Sequence, residues 1–356
     1  MNRLVLVDGN AIVHRAYHAL PPLHKKDGKL TNAVYGFFAM TLKIVSDLNP
    51  EALIVCFDRA APTFRKQLYV GYQATRPKME DDLSFQFGLI HETLEKIKVC
   101  VFELDGYEAD DLIGTLACQA AEDGRKLKVE GRALKIENRR SIYHQSSTLK
   151  NPSSTVHHPS SSPMFDQVII LTGDRDLLQL VNERVLILAP ITGVTKMILF
   201  DSDKVKEKYG LNPSQIVDYK ALVGDSSDNY PGVAGIGPKT ASDLLNKYQT
   251  LEGIYENLGE INPKTAEKLA KDAEQSAMAK KLATIELNAP IHLKFSDCDL
   301  KNLDRKALLK EFQDLNFNSL IDRFKLDKKQ KEPPAQRASG PEGKKQKELK
   351  DQLNLL

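Results

Sequence analysis

The hydrophobic pattern of this 356-residue chain alternates short apolar runs with longer amphipathic stretches. The short runs are rich in Val, Ile and Leu, and they lie at residues 4–7, 53–57, 99–104, 168–171 and 185–188. Each is too short for a helix and lacks the alternation of a half-exposed strand, so they predict strands buried on both faces. Helical spacing of apolar residues marks the stretches at 34–48, 83–98 and 111–121. This alternation predicts an α/β fold in which helices cover both faces of a parallel sheet.

The pattern changes near residue 202, where short helical stretches are separated by turns containing Gly and Pro. We therefore predict two units, an α/β core over residues 1–205 and an all-helical unit over 206–326. Residues 125–164 are rich in Ser, Pro and His and lack periodicity, so we expect a disordered loop inserted into the core. Residues 327–356 are rich in Lys, Gln and Pro, and we expect a disordered basic tail.

A content of 41% hydrophobic and 28% charged residues is that of an ordinary globular protein, which excludes a fibre and a fully disordered chain. The net charge of +2 is unevenly distributed. The segment 125–164 carries +6 and the tail carries +3, so the remaining residues carry −7. The part of the chain that we expect to fold is therefore acidic.

Cysteine usage and the N-terminus indicate the compartment. The four cysteines are Cys56, Cys100, Cys118 and Cys298. They are widely spaced and form no CxxC pair, so we expect reduced thiols rather than a zinc site. The first apolar run is cut short by Asp8, unlike a secretory signal, and no stretch is apolar over the ~18 residues that a membrane-spanning helix needs. These features predict a cytoplasmic protein with no membrane contact.

Acidic residues follow four of the predicted strands. They are Asp8 after the first strand, Asp58 after the second, Glu108, Asp110 and Asp111 after the third, and Asp174 and Asp176 after the fourth. A single Asp after a strand is more often a helix cap or a turn residue. Because the carboxyl ends of parallel strands share one edge of the sheet, however, recurrence at four ends favours a common site.

So many carboxylates repel one another unless cations neutralise them, and Mg²⁺ and Mn²⁺ prefer such oxygen ligands. A carboxylate-rich edge without His or Cys indicates phosphoryl chemistry with two metal ions. The phosphate-binding motifs GxGxxG, after the first strand, and GxxxxGK[ST] are absent, which argues against dinucleotide-binding and P-loop folds.

The helical unit contains a second acidic motif followed by a glycine-rich turn. Asp225 and Asp228 precede the turn, and a predicted helix starts after it. The turn and helix start contain Gly235, Gly237, Lys239 and Thr240. Their backbone N–H groups can approach a phosphate at the helix N-terminus. A glycine-rich turn is a weak signal alone, but beside an acidic cluster it predicts a clamp on a duplex backbone.

The segment 62–82 mixes basic and aromatic residues, which suits a single strand whose phosphates meet cations and whose bases stack on rings. A solvated amphipathic helix is the alternative interpretation, and the sequence leaves both open.

Five motifs occur here in the order and context of a known family: LVDGN, FDRAAPTFR, GYEADDLIGTLA, LTGDRDLLQLV and GDSSDNYPGVAGIGPKTA. Over residues 1–124 and 165–326 the chain resembles the 5′-nuclease domain of bacterial DNA polymerase I, in the flap-endonuclease superfamily. The resemblance implies a PIN-like core, a helical arch formed by 62–82, and a helix–three-turn–helix unit that binds duplex DNA around a K⁺ ion. The implied activity is that of a metal-dependent 5′→3′ exonuclease and structure-specific flap endonuclease in DNA repair or lagging-strand maturation.

The resemblance also implies site residues. Ligands of two Mg²⁺ or Mn²⁺ ions would be Asp8, Asp58, Glu108, Asp110, Asp111, Asp174, Asp176, Asp225 and Asp228. Catalysis would depend on Asp8 and Asp110 at the metals and on Arg76 and Lys78 at the phosphate. DNA contacts would come from Arg65, Tyr69, Tyr72, Gln73, Arg76, Gly235, Gly237, Lys239 and Thr240. Substrates would be 5′ flaps and nicked or gapped duplex.

The chain departs from the family pattern in three places. Gln73 stands where relatives usually carry Lys, the segment 125–164 is additional, and the sequence ends at Leu356, where a polymerase would continue. Gln73 keeps open an alternative, a non-cleaving module that binds flaps or duplex and assists a polymerase. Cleavage of primer RNA in the same site is a third hypothesis. We expect a monomer.

Overall fold

A computed structural model describes residues 1–121, 164–291 and 294–329, with side chains to Phe324. Its centre is a six-stranded sheet in the order β3-β2-β1-β4-β5-β6. The strands are β1 (Arg3–Asp8), β2 (Ala52–Cys56), β3 (Cys100–Phe102), β4 (Gln167–Leu171), β5 (Val185–Thr192) and β6 (Lys196–Phe200). The first five are parallel, and β6 returns antiparallel to β5. The predicted α/β sheet is confirmed; β6 was not expected from the pattern.

Helices cover both faces of the sheet. They are α1 (Gly9–Ala19), α2 (Asn32–Leu48), α4 (Asp81–Lys96) and α5 (Ala109–Ala121). Val5 and Val7 of β1 pack with α1, α2 and α4, whereas Leu4 and Leu6 pack with α5 on the opposite face. Because each of residues 4–7 meets a packed layer, this stretch of the strand is uniformly apolar.

The segment 62–82 crosses from β2 to α4 beside the carboxyl edge of the sheet. Before α4 begins at Asp81, it contains the short helix α3 (Phe64–Leu68), followed by turns over residues 70–75 and an irregular stretch up to Glu80. The expected arch is therefore mostly non-helical in this structure.

Six helices follow the sheet: α6 (Ser202–Tyr209), α7 (Ile216–Val223), α8 (Pro238–Tyr248), α9 (Leu251–Glu256), α10 (Pro263–Lys271) and α11 (Ala273–Ala283). Residues 211–269 form a separate apolar core. A short hairpin, β7 (Gly224–Asp225) and β8 (Tyr230–Pro231), carries the second acidic motif. Gly224 has φ +78°, and a side chain there would meet the backbone of Gly232, so the hairpin requires glycine at this crossing.

The chain returns to the α/β core after α11. Ile285, Ala289 and Phe295 pack on the α5 face of the sheet. The last helices, α12 (Arg305–Asp314) and α13 (Asn318–Lys329), pack on the other face, where Phe312 contacts Phe38 of α2. This packing corrects the predicted division, which placed all of 206–326 in the helical unit, because apolar residues from 285 onward are buried by the sheet and its helices.

The returning segment also carries a disulfide. Cys298 is bonded to Cys100 of β3, 198 residues away in sequence. The two are brought together because residues 297–300 run beside β2, where Leu300 N–H donates to the carbonyl of Glu51 at 2.8 Å. The prediction that all four cysteines are reduced is wrong for this pair.

The predicted insertion lies outside the described residues except for Met164, and so does the predicted tail from residue 330. Residues 327–329 belong to α13, which corrects the start expected for the tail. Among the helices that the structure describes, none has the length and apolar character to cross a membrane.

Candidate active site

Asp8 ends β1 and caps α1. Its carboxylate accepts hydrogen bonds from Ala11 N–H at 2.9 Å and from the Thr172 hydroxyl at 2.7 Å. Thr172 follows β4, the neighbouring strand, so these contacts hold the carboxylate between two strand ends. The residue is only 4% exposed.

Three further acids converge on this edge. Asp58 follows β2 and accepts from Ala109 N–H, at the start of α5, at 2.7 Å. Asp110 lies in the first turn of α5, and Asp174 follows β4 and accepts from Asp176 N–H at 2.8 Å. We call Asp8, Asp58, Asp110 and Asp174 the strand-end cluster.

The strand-end cluster is like-charged; Asp8 is buried, Asp110 and Asp174 are half-buried, and Asp58 is exposed. Burial raises the pKa of Asp8 to about 7, with smaller contributions from the charges of Asp174 and Asp58. Burial and the charges of Asp174 and Asp8 raise the pKa of Asp110 well above its usual range. Across the described part of the chain, no lysine or arginine forms an ion pair with these four carboxylates. An all-oxygen set of neighbouring acids without an ion-paired basic partner fits a hard divalent cation.

A second group joins the core to the helical unit. Asp176 begins a 3₁₀ turn after β4, and Asp225 and Asp228 lie on the β7–β8 hairpin. One carboxylate oxygen from each lies within 4.8 Å of the others, close enough to share a metal ion. We call these three residues the bridging cluster.

Cations of the chain already contact the bridging cluster. The Lys220 ammonium pairs with both Asp176 and Asp225, and Arg76 Nη2 pairs with Asp228 Oδ1 at 2.6 Å. Burial and the charge of Asp174 raise the pKa of Asp176 to about 7 despite Lys220. Burial also favours a higher pKa for Asp225, but Lys220 and hydrogen bonds from Ser227 lower it below its usual value.

Asp111 differs from its neighbour Asp110 because its partners lie within the protein. The carboxylate is fully buried and receives a bidentate pair of hydrogen bonds from Arg65, both at 2.8 Å. The backbone N–H groups of Glu108 and Glu286 also donate to it, at 3.0 and 2.9 Å. These contacts correct the expectation that Asp111 is a metal ligand, because both of its oxygens are engaged in holding the fold.

The expectation that Arg65 contacts DNA is also corrected. Its guanidinium is buried and donates to the carbonyls of Leu282 and Thr284 in addition to Asp111, so it ties α3 to the end of α11. Because Arg65 is only 2% exposed, its guanidinium is not accessible to a DNA strand at the surface.

The expectation that Tyr72 contacts DNA is corrected as well. It is only 3% exposed and stacks on Tyr230, with ring centroids 6.5 Å apart. Its hydroxyl donates to Glu108 Oε2 at 3.0 Å. The ring therefore supports a carboxylate and cannot stack on a base. Glu108 also accepts from the Thr63 hydroxyl at 2.9 Å, which orients it at the rim of the site.

The turn after Tyr72 is fastened to the acidic hairpin. Gln73, at φ +54°, donates its backbone N–H to the Asp228 carbonyl at 2.9 Å. The Asn229 side chain donates to the carbonyl of Gly71 at 2.7 Å. Tyr69 is half-buried, whereas Arg76 and Lys78 are exposed beyond the turn. Of the cations expected to meet a phosphate, Arg76 is therefore the one held beside a carboxylate of the site.

The glycine-rich turn lies on the exposed side of the helical unit. Gly235 has φ +76°, and Gly237 precedes α8, with open space where a side chain would stand. Lys239 is exposed and Thr240 half-buried in the first turn of α8. The turn is thus exposed at Gly237 and Lys239, whereas the Lys268 ammonium lies over Gly235 and donates to its carbonyl at 3.1 Å.

Two residues of the site, Lys220 and Thr172, were not predicted from the sequence. Lys220 lies on α7 just over one turn before Asp225, and a lysine at that spacing from an acidic pair was the available signal. Thr172 lies within a recognised motif, but nothing in the sequence showed that its hydroxyl would reach Asp8 across the sheet.

Comparisons with known proteins agree with this geometry. The model of the N-terminal resolvase-like domain of 5′-3′ exonucleases matches residues 3–130, and that of their C-terminal SAM fold matches 211–306. A 5′-3′ exonuclease of Aquifex aeolicus is 34% identical over 321 residues, which are 90% of this chain and 94% of that protein. The chain belongs to the 5′-3′ exonuclease family. The nuclease class expected from the motifs is confirmed.

Two further similarities bear on this 5′-3′ exonuclease family member. DNA polymerase I of Bacillus subtilis is 37% identical over 326 residues, 91% of this chain but 32% of that protein. The chain thus spans about a third of the length of the polymerases it matches. A solved structure of the bacteriophage T5 flap endonuclease with DNA and metal ions aligns with a TM-score of 0.56 at 18% identity, covering 88% of this chain and 98% of that one. This likeness confirms the fold class.

Proposed function

We propose that this chain is a metal-dependent 5′→3′ exonuclease and structure-specific flap endonuclease that hydrolyses DNA in repair or lagging-strand maturation. The convergence of carboxylates from four strand ends and an acidic hairpin carries the proposal. The strand-end cluster would hold one Mg²⁺ or Mn²⁺ ion and the bridging cluster a second, with Glu108 as a further ligand at the rim. Bound divalent ions supply an activated water and offset the charge of the leaving oxygen.

The side chains of the chain have their own roles in this proposal. Thr172 and Ala11 N–H hold the Asp8 carboxylate in place, and Asp58 is fixed by the start of α5. Asp110 adds a half-buried charge that interacts with both. Arg76 and Lys78 would approach the phosphate from the segment 62–82, and Tyr69 and Gln73 would contact the displaced strand. Substrates would be 5′ flaps and nicked or gapped duplex, with primer RNA as a further substrate.

The glycine-rich turn would bind the duplex. Backbone N–H groups near Gly235 and Gly237, together with Lys239 and Thr240, would contact phosphates around a K⁺ ion. Lys239→Ala should weaken duplex binding and reduce its dependence on salt, because one fewer counterion is released. Replacing K⁺ by Li⁺ should weaken the binding of the unmodified chain and leave its cleavage chemistry unaffected at saturating DNA.

The deciding experiment is cleavage of an end-labelled 5′-flap duplex with Mg²⁺ or with EDTA. We expect cleavage near the flap junction with Mg²⁺ and none with EDTA. Tight binding of the flap with no cleavage in either Mg²⁺ or Mn²⁺ would favour the alternative, a DNA-binding module that assists a polymerase. A monomer in the cytoplasm, with a polymerase as partner or as the rest of a longer chain, is part of the same proposal.

A further inference from the structure

Lys220 links the two structural units at the bridging cluster. It projects from α7 of the helical unit and pairs with Asp225 on the adjacent hairpin and with Asp176 on the core. The side chain is 17% exposed, and the two carboxylates are 12% and 11% exposed. Its charge also acts on Asp228, the third member of the cluster. The ammonium is therefore centred on the acids that would hold a divalent ion.

We propose that Lys220 is a resident counter-ion of the bridging cluster, and that a divalent cation binds there only by displacing its ammonium from Asp176 and Asp225. The inference rests on the proposed function, in which this cluster is a metal site. It assigns a new role to a residue outside the acidic ligand set: Lys220 sets how tightly this site holds metal.

The competition follows from charge and space. The ammonium contacts one oxygen each of Asp176 and Asp225, and a divalent ion at these oxygens could not share the position with it without strong repulsion. A lysine side chain has a flexible stem and a point charge, so it can leave without moving the backbone. While it stays, it offsets one of the two negative charges of Asp176 and Asp225 and joins α7 to the core.

Arg76 does not duplicate this role. Among the described carboxylates it pairs only with Asp228, and its side chain is 50% exposed, so it can follow a phosphate while Asp228 turns to a metal. Lys280 offers a matched control elsewhere, because it too bridges two carboxylates, Asp218 and Glu252, neither of which belongs to the cluster.

The test is the binding of Mn²⁺ to the metal-stripped chain. Binding is measured by calorimetry and by the electron-spin-resonance signal of free Mn²⁺. Lys220→Met should lower the Kd of one site by about tenfold, because the competing charge is gone. Lys220→Arg and Lys280→Met should stay within about twofold of the unmodified chain. Asp225→Asn identifies which of the measured sites is the bridging cluster.

An unchanged or raised Kd in Lys220→Met would overturn the proposal and indicate that Lys220 merely positions the acids. If Mn²⁺ binding is the same in the unmodified chain, Asp225→Asn and Asp174→Asn, the metal site of the proposed function fails as well, which is a different result.

A measurement on the unmodified chain covers the case in which Lys220→Met does not fold. Labelling of Lys220 by an amine-reactive ester, quantified by mass spectrometry, should rise several-fold when Mn²⁺ is added, while labelling of Lys280 stays constant. Equal or lower labelling of Lys220 with Mn²⁺ would contradict displacement.

Discussion

The two acidic clusters of this site differ in how the chain treats their charge. The bridging cluster has Lys220 and Arg76 as basic partners, and the pKa of its member Asp225 is lowered. The strand-end cluster has no such partner among the described residues, and the pKa values of Asp8 and Asp110 are raised. The comparison shows that a metal at the strand ends would relieve a repulsion, whereas a metal at the bridge would replace an existing cation.

The largest effect is expected for Asp110→Asn, which removes one charge from the strand-end cluster. Cleavage of a flap substrate should fall by about 10³-fold or more, since the metal would lose a charged ligand. DNA binding should be kept, and melting with EDTA should shift upward because a like charge is gone. Asp105→Asn, at an exposed carboxylate paired with Arg59, is the control. Loss of DNA binding together with cleavage would mean that Asp110 has been assigned the wrong role.

Asp111→Asn tests the neighbouring residue, which we assign to the fold. Breaking its buried pair with Arg65 should reduce the free energy of unfolding by about 3–5 kcal/mol, as measured by urea titration. Below the shifted midpoint the folded variant should still bind Mn²⁺ like the unmodified chain. A normal midpoint with lost Mn²⁺ binding would return Asp111 to the metal ligands.

Divalent ions should stabilise the chain, chiefly through the strand-end cluster. A ligand that binds only the folded state adds about 2.7 kcal/mol at a hundredfold excess over its Kd. We expect Mg²⁺ to raise the Tm and Asp8→Ala to reduce that rise more than Asp228→Ala does, because Asp228 already has Arg76. Equal reductions would remove the difference between the clusters.

The metal-free chain should lose stability as the pH rises. The folded-state pKa of Asp8 and Asp176, about 7, lies above the ordinary aspartate value, so the folded chain binds more protons than the unfolded chain between about pH 4 and pH 7. The free energy of unfolding therefore decreases as the pH rises over this range. Melting with EDTA at pH 5.5 and pH 8 measures the change. Excess Mg²⁺ should abolish it, and a pH-independent difference between Mg²⁺ and EDTA would contradict the mechanism.

Gln73→Lys should have the smallest effect. It adds a charge beside the bridging cluster, where the backbone of residue 73 already contacts Asp228. The gain in kcat on a flap should be about tenfold, less than the 10²–10³ attributed to one transition-state donor, because Arg76 and Lys78 already supply charge. Lys78→Ala should lower kcat. Gln67→Lys, on the exposed side of α3, is the control. If Gln73→Lys and Lys78→Ala are both silent, this segment supplies no charge to the reaction.

The sequence by itself determined the sheet and the edge at which its acids meet. Short, uniformly apolar runs predict strands that are packed on both faces. Because parallel strands end at the same edge of the sheet, Asp8, Asp58 and Asp174 were expected to converge there. The acidic motif at Asp225 and the turn at Gly235 were equally visible, because glycine and acidic spacing are local properties.

The tertiary structure alone decided which of these acids remain available to a metal. Asp110 and Asp111 are adjacent and chemically identical, yet Arg65 and Glu286, 46 and 175 residues away, occupy Asp111 only. Tertiary structure also decided the ion pair of Lys220 with Asp176, the disulfide between Cys298 and Cys100, and the packing of α12 and α13 on the core. Each depends on a contact between distant segments, and hydrophobic periodicity records which face of an element is buried but not which residue it is buried against.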